Sequence, residues 1–348
     1  MPLLATTNNY KKVRMFCTKP ALLALRASLM LALGLMLSTV LTGCSQESKV
    51  RVIRMGHALD VAHPVHEAMV YMAKRVDEIS AGRMSLQIYP GGQLGSEREM
   101  IELLQIGSLA MTKVSSSPLE GFIPQMKVFS MPYVFRDADH YWKVLNGPIG
   151  HQLLLSGEPV KLRGLGYFDA GSRSFYTVDK PVQQPSDLAG LKIRVQNSQT
   201  AVRMVRALGG AGTPISWGEL YTALQQGVVD GAENNPPSFY SSKHYEVAKF
   251  YSLNEHTSVP DIILIGTHVW NRMTVTEQRW LQQAMVDAVT FQRQLWQRAT
   301  DNALQEISAA GVTIIKPEKA PFASAVEPMF ESTKDTQLGR LVTEIRQQ

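Results

Sequence analysis

Apolar residues recur with two different periods along the first part of the chain. In some runs they alternate with polar residues, the pattern of a strand with one buried face, and in others they recur near the helical period. Ser96 and Glu99 have the spacing of a capping box, which marks the start of a helix. The predicted elements are strands at 50–55, 84–88 and 109–115 and helices at 65–79 and 96–106. This order predicts a parallel sheet with helices on both faces.

A second strand-rich region is organised around Arg194. Residues 191–195 alternate between apolar and polar, which predicts a short strand and turns Arg194 away from the apolar face. The run 228–232 predicts another strand, and Asn234 and Asn235 follow it. Ligands of open α/β sheets bind at the carboxyl ends of strands, and an arginine beside amide groups suits a carboxylate that carries hydroxyl groups. The alternative is a solvent-exposed arginine with two turn-forming asparagines.

Three polar residues follow strands in the first region. His57, Glu97 and Ser115 are expected to emerge at one edge of the sheet, where they would contact a ligand. Glu97 also suits the first turn of a helix, where the helix dipole stabilises a negative charge. His63 and His66 lie close to His57 in sequence, but no acidic residue or cysteine has a recognised ligand spacing to them, so no metal site is predicted.

Trp217 and Arg173 are further candidates for ligand contact. Trp217 begins a predicted helix, where its ring would stack on the C–H surface of a sugar or pack in the core. Arg173 would bind the ligand or brace the junction between two lobes. Ser216 lies in a sequence similar to a nucleophile elbow, but residues 209–214 are predicted to be a loop rather than the strand that an elbow needs. Ser216 is therefore interpreted as a helix cap. No glycine-rich phosphate motif is found, and no cofactor is predicted.

The predicted fold class is α/β, with two lobes, mixed sheets and a ligand cleft between the lobes. The predicted divisions are 50–170 for most of the first lobe, 171–265 for most of the second, and 266–348 for a bridging helix and a C-terminal segment that returns to the lobes. An apolar strand at 262–266 is assigned to the second lobe. Thr274 and Glu277 begin a helix that stops near Gly311, about 50 Å long at 1.5 Å per residue. Two consecutive helices are the alternative.

Residues 1–43 have the features of an export signal. Basic residues precede an almost wholly apolar run at 27–40, and the sequence before Cys44 resembles a lipobox. This predicts lipidation of Cys44, a short tether over 44–49, and a periplasmic lipoprotein anchored to the membrane. The alternative is an uncleaved anchor, although the apolar run is short for a span of about 20 residues.

Removal of that segment would change the charge of the protein. The chain holds 35 Lys and Arg against 30 Asp and Glu, and five of the basic residues but no acidic residue precede Cys44. The mature chain is therefore formally neutral and lacks the basic surface expected of a nucleic-acid partner. Cys17 and Cys44 are the two cysteines, so no disulfide is predicted in the mature domain.

Four motifs together resemble the DctP-type extracytoplasmic solute-binding proteins of TRAP transporters. They are the lipobox, PGGQLG at 90–95, GLKIRV at 190–195 and ELYTALQQGVVDGAEN at 219–234. The resemblance covers essentially the whole mature chain. It implies a two-lobed binding protein, not an enzyme, that closes around an organic acid. It also implies delivery of that acid to small and large integral membrane subunits, driven by an ion gradient.

The resemblance implies roles for individual residues as well. Arg194 would clamp the substrate carboxylate, with Arg173, Trp217 and Asn234 in supporting positions. Residues 233–236 depart from the family, because they read Glu-Asn-Asn-Pro where Glu-Asn-Pro is frequent.

Polar groups in the first lobe bear on the substrate. Glu97 and His57 suit the hydroxyl groups of a hexuronate, glucuronate or galacturonate, and Glu97 would repel the far carboxylate of a plain dicarboxylate. The alternatives are a C4-dicarboxylate or another carboxylic acid, an exported enzyme acting on sugar acids, and a ligand sensor for a receptor kinase.

Overall fold

The computed structural model describes residues 50–348, which form one compact unit. The predicted signal segment, Cys44 and the tether lie outside the described residues. Within 50–348, no helix is both long enough and apolar enough to cross a membrane.

The first sheet contains five strands in the order β2-β1-β3-β10-β4. Its strands are β1 (Arg51–Gly56), β2 (Met84–Tyr89), β3 (Met111–Ser115), β4 (Leu162–Phe168) and β10 (Asp261–Gly266). β1 pairs in parallel with β2 and β3, which confirms the predicted parallel arrangement. The assignment of the strand at 262–266 to the second lobe is wrong, because β10 pairs antiparallel with β3 and β4. All six β10 residues are buried, and a uniformly buried run carries no signal for its pairing partner.

The second sheet contains six strands in the order β11-β9-β5-β8-β6-β7. Its strands are β5 (Arg173–Thr177), β6 (Lys192–Val195), β7 (Ala211–Pro214), β8 (Gly231–Asn234), β9 (Phe250–Thr257) and β11 (Thr313–Ile315). The strand predicted at 228–232 is present as β8, but it begins only at Gly231. The loop prediction at 209–214 is wrong, because these residues contain β7. β7 is a partly exposed edge strand without apolar alternation, so periodicity does not reveal it.

Twelve α-helices surround the two sheets in the described part of the chain. They are α1 (Pro64–Ser80), α2 (Glu97–Ile106), α3 (Ser116–Leu119), α4 (Ala138–Asn146), α5 (Pro148–Leu155), α6 (Gln199–Ala207), α7 (Leu220–Gln225), α8 (Pro236–Ser241), α9 (Thr267–Trp270), α10 (Val275–Ala309), α11 (Lys319–Glu331) and α12 (Gln337–Gln347). Short 3-10 helices occupy Pro124–Ser130, Glu158–Val160, Pro185–Leu188, Trp217–Glu219 and His244–Glu246. The capping boxes predicted at Ser96 and Thr274 are confirmed.

The predicted long helix is a single element, α10, of 35 residues. It packs against α1 beside the first sheet and against α8 beside the second, so it bridges the two lobes as predicted. Leu281 and Met285 belong to the core of the first lobe, whereas Ile307 belongs to the core of the second. The chain also crosses between the sheets from β4 to β5 and from β9 to β10.

Candidate functional site

A cavity of about 590 Å³ lies between the two sheets. Its walls come from the loops after β1, β2, β6, β7 and β8 and from the starts of β5 and β10. This volume lies in the range of small-molecule sites, roughly 300–1,000 Å³. The predicted site residues that line it are Arg194, Arg173, Asn234, Asn235, Trp217, Glu97 and Ser115.

Arg194 carries a buried guanidinium group without an acidic partner among residues 50–348. The residue is 3% exposed, its Nε donates to the carbonyl oxygen of Ile215 at 2.8 Å, and its buried Nη1 has no hydrogen-bond partner. Burial lowers the pKa of Arg194 from its ordinary value, because removal from water disfavours the charged form. Donor groups therefore remain free at the cavity wall for an anion.

Trp217 forms one side of the Arg194 environment. It begins the 3-10 helix after β7, and its ring centroid lies 5.7 Å from Arg194 Cζ, within cation–π range. The half-buried ring also packs against the cores of both lobes and lies 5.0 Å from the ring of His244. Trp217 therefore serves core packing and also lines the cavity.

Ser216 differs from the sequence interpretation in two respects. Its side chain forms no capping hydrogen bond, and a strand, β7, does precede it. However, no side chain of residues 50–348 forms a hydrogen bond with Ser216 Oγ, so no general base is placed to activate it.

Arg173 is almost fully occupied by contacts inside the protein. Its Nε and Nη2 donate to the Glu233 carboxylate, Nη2 also donates to the Glu233 carbonyl, and Nη1 donates to Asn234 Oδ1 at 2.7 Å. Four of the five guanidinium N–H groups are thereby used. Burial raises the pKa of Glu233, but the Arg173 charge and hydrogen bonding outweigh it and hold the pKa at about 2. Arg173 braces the ends of β5 and β8, and one N–H remains for other contacts.

Asn234 and Asn235 present mainly donor groups. Asn234 Oδ1 accepts from Arg173 and from the backbone N–H of Asn235, and Asn235 Oδ1 caps α8 by accepting from Ser238 N at 2.9 Å. With both amide oxygens engaged, the two Nδ2 groups are left to donate. Asn235 is thus a helix cap and also lines the cavity.

The opposite wall contains an ionic cluster that sequence analysis missed in part. Lys113 Nζ lies 3.2 Å from Glu97 Oε1 and 3.1 Å from Asp261 Oδ1. Ser115 joins the cluster, because its N–H donates to Glu97 Oε1 and its Oγ donates to Asp261 Oδ1. Burial lowers the pKa of Lys113, but the Asp261 and Glu97 charges outweigh it and raise the pKa overall, so the ammonium stays charged.

His57 does not line the cavity, contrary to the sequence prediction. The side chain is fully buried and turns toward α1: Nδ1 accepts from Leu59 N at 3.2 Å, and Nε2 lies 3.0 Å from His66 Nδ1. Burial, aided by the charge of Lys113 and by His66, lowers the pKa of His57 to about 3. Both ring nitrogens are therefore used inside the first lobe.

His63 occupies the cavity wall instead. Its Nδ1 caps α1 by accepting from Val65 N, and its Nε2 lies 3.0 Å from Ser238 Oγ in the second lobe. Across residues 50–348, no three His, Cys, Asp or Glu side chains form a group suited to a metal ion.

Two sheets with a polar cavity between them, closed by residues from both, define a two-lobed α/β binding protein. The sequence profile of bacterial extracellular solute-binding protein family 7, DctP, matches residues 55–336. The chain therefore belongs to this family, whose members are transporter binding proteins rather than enzymes.

Individual relatives support this assignment. A solute-binding protein of Chromohalobacter salexigens is 34% identical over 288 residues, covering 82% of this chain and 86% of the relative. A TRAP periplasmic solute binding protein from Bradyrhizobium sp. BTAi1, in complex with α/β-D-galacturonate, is 40% identical with a TM-score of 0.83, covering 86% of this chain and 100% of that one. A TRAP periplasmic solute binding protein from Anaerococcus prevotii, with bound α/β-D-glucuronate, is 36% identical with a TM-score of 0.83. The match covers 85% of this chain and 97% of that one.

Proposed function

We propose that this protein binds a hexuronate, glucuronate or galacturonate, and delivers it to the membrane subunits of a TRAP transporter. The observation that carries the proposal is the buried guanidinium group of Arg194, which has an unpartnered Nη1 at the cavity wall. A buried charge is costly unless it is paired, and a carboxylate supplies both the opposite charge and two acceptors for a guanidinium fork. Arg194 therefore holds the ligand carboxylate.

The remaining polar groups suit hydroxyls. The amide donors of Asn234 and Asn235 can meet hydroxyl oxygens, and Glu97 can accept from hydroxyl hydrogens. Trp217 offers a ring for the C–H surface of a pyranose beside the carboxylate site. The hexuronates bound by two structural relatives have this combination of one carboxylate and several hydroxyls.

The site of action follows from the N-terminal sequence. We assign residues 1–43 to an export signal and Cys44 to a lipid anchor, on the basis of the basic and apolar runs and the lipobox-like sequence. The binding domain would then act in the periplasm while it remains attached to the membrane that holds its transport partners.

Thermal-shift measurements and calorimetry on residues 45–348 test the proposal with glucuronate, galacturonate, glucose, galactose, succinate and malate. A uronate at a hundredfold excess over its dissociation constant should stabilise the fold by about 2.7 kcal/mol. The neutral sugars should not, because they lack the carboxylate. Stabilisation by succinate or malate alone would contradict the hexuronate assignment.

Arg194→Met tests whether Arg194 binds the ligand carboxylate, apart from any effect of the substitution on folding. Its uronate affinity should fall about a hundredfold or more, because charge-assisted hydrogen bonds are lost. The unliganded variant should be at least as stable as the wild type, because an unpaired buried charge is removed. Arg203→Met, an exposed arginine of the same lobe, is the matched control. Unchanged uronate affinity in Arg194→Met would refute the assignment.

A further inference from the structure

The cluster of Lys113, Glu97 and Asp261 has unused hydrogen-bonding capacity. Lys113 Nζ has three N–H groups and donates to two carboxylates, which leaves one. Glu97 and Asp261 each use one oxygen for the cluster, Oε1 and Oδ1, and no side chain or backbone N–H of residues 50–348 donates to Glu97 Oε2 or Asp261 Oδ2. One donor and two acceptors therefore remain in the cavity wall.

The cluster is rigidly held. The Lys113 and Asp261 side chains are 2% and 6% exposed, and the Glu97 side chain is 15% exposed. Register fixes the partners, because Asp261 pairs with Ser115 between the antiparallel strands β10 and β3. Ser115 then donates to both carboxylates, so their free oxygens have defined positions.

Charge differs between the two sides of the cavity. One ammonium against two carboxylates gives the cluster a formal charge of −1. In the second lobe, Arg173 and Glu233 neutralise each other, whereas Arg194 keeps its positive charge and an unpartnered buried Nη1. The second-lobe side of the cavity therefore offers a place for an anion at Arg194, and the first-lobe side of the cavity is acidic.

We infer that Glu97 and Asp261, held together by Lys113, determine specificity by accepting hydrogen bonds from ligand hydroxyls and excluding a second carboxylate, so that the site selects polyhydroxy monocarboxylates over dicarboxylates. This inference rests on the proposed function, with the ligand carboxylate on Arg194. A hydroxyl donates to a free carboxylate oxygen, whereas an ionised ligand carboxylate has no hydrogen to donate and meets a like charge. Lys113 is a positioning residue that holds the two carboxylates together.

The test compares D-glucuronate with D-glucarate, which has a carboxylate at both ends. Calorimetry on the mature chain measures both affinities in the wild type, Glu97→Gln and Asp261→Asn. Each variant removes one negative charge and adds an N–H that can face a carboxylate. In each variant we expect glucuronate affinity to fall about tenfold. The ratio of glucuronate affinity to glucarate affinity should fall by more than about tenfold, because glucarate binding also loses a repulsive charge.

Glu67→Gln, an exposed position on α1 in the same lobe, controls for loss of a distant negative charge and should retain the wild-type preference. Thermal melting checks folding, and Glu97→Gln alone decides the test if Asp261→Asn does not fold. If folded Glu97→Gln prefers glucuronate over glucarate as strongly as the wild type does, the inference is overturned. The same holds if neither the wild type nor the variants bind glucarate. Failure of the wild type to bind glucuronate instead overturns the proposed function.

Discussion

His63 Nε2 and Ser238 Oγ lie 3.0 Å apart and join the first lobe to the second at the wall of the cavity. His63 Nδ1 accepts from Val65 N, so the neutral ring carries its hydrogen on Nε2 and donates it to Ser238. Burial keeps the pKa of His63 well below its ordinary value, so the ring stays neutral. This hydrogen bond can exist only when the two lobes are close together.

Ser238→Ala should weaken ligand binding without touching the carboxylate site. The variant leaves the buried Nε2 hydrogen of His63 without an acceptor, and such a loss costs about 1–3 kcal/mol. We expect about a tenfold loss of uronate affinity and a larger radius of gyration at equal ligand saturation. Calorimetry and small-angle scattering measure the two effects. Ser241→Ala, on the same helix, is the control, and equal behaviour of the two variants would argue against a role in closure.

Arg173→Ala should reduce the stability of the unliganded protein, because it leaves Glu233 buried without its cation. Breaking a buried ion pair of this kind costs about 3–5 kcal/mol. Urea unfolding of unliganded residues 45–348 gives the free energy of unfolding. The exposed Arg206→Ala in the same lobe should change it little. If Arg173→Ala lowered only uronate affinity, the residue would be a ligand contact and not a brace.

Two buried histidines should make the fold sensitive to acid. Burial, aided by the charge of Lys113 and by His66, lowers the pKa of His57 from 6.5 to about 3. Burial, aided by the charge of Arg194, lowers the pKa of His244 from 6.5 to about 3. Between these pH values the unfolded chain binds more protons than the folded protein. The free energy of unfolding should therefore fall as the pH drops from about 6.5 toward 3, by up to about 1.4 kcal/mol per pH unit for each histidine.

Urea unfolding at several pH values measures this slope. His244→Gln should flatten it, because one of the contributing groups no longer titrates. A slope in His244→Gln equal to that of the wild type would show that His244 does not contribute. His151→Gln, at an exposed position, is the matched control substitution.

Local signals in the sequence predicted much of the fold. The Ser96 and Thr274 capping boxes and the single long helix α10 depend on residues within a few turns of each other, and all were confirmed. The parallel arrangement of β1, β2 and β3 followed from the alternation of strands and helices. Strand β6 placed Arg194 at the carboxyl edge of its sheet, where it lines the cavity.

Contacts between distant residues were not predictable in the same way. Lys113 and Asp261 are 148 positions apart and meet because β10 pairs with β3 rather than with the second sheet. An apolar strand does not encode its neighbour, so no sequence pattern pointed to Lys113 within a buried run. The sequence favoured His57 because it follows a strand, but His63 lines the cavity instead. The contacts of His57 with His66 and of His63 with Ser238 decide which one reaches the cavity.

Helix α10 has a consequence for how the protein unfolds. At 1.5 Å per residue its 35 residues extend for about 52 Å, and its buried side chains complete the cores of both lobes. Neither lobe can lose this helix without exposing part of the other core. Melting is therefore expected as one cooperative transition, so a ligand held in the cleft protects both lobes at once, although it touches only a small part of each.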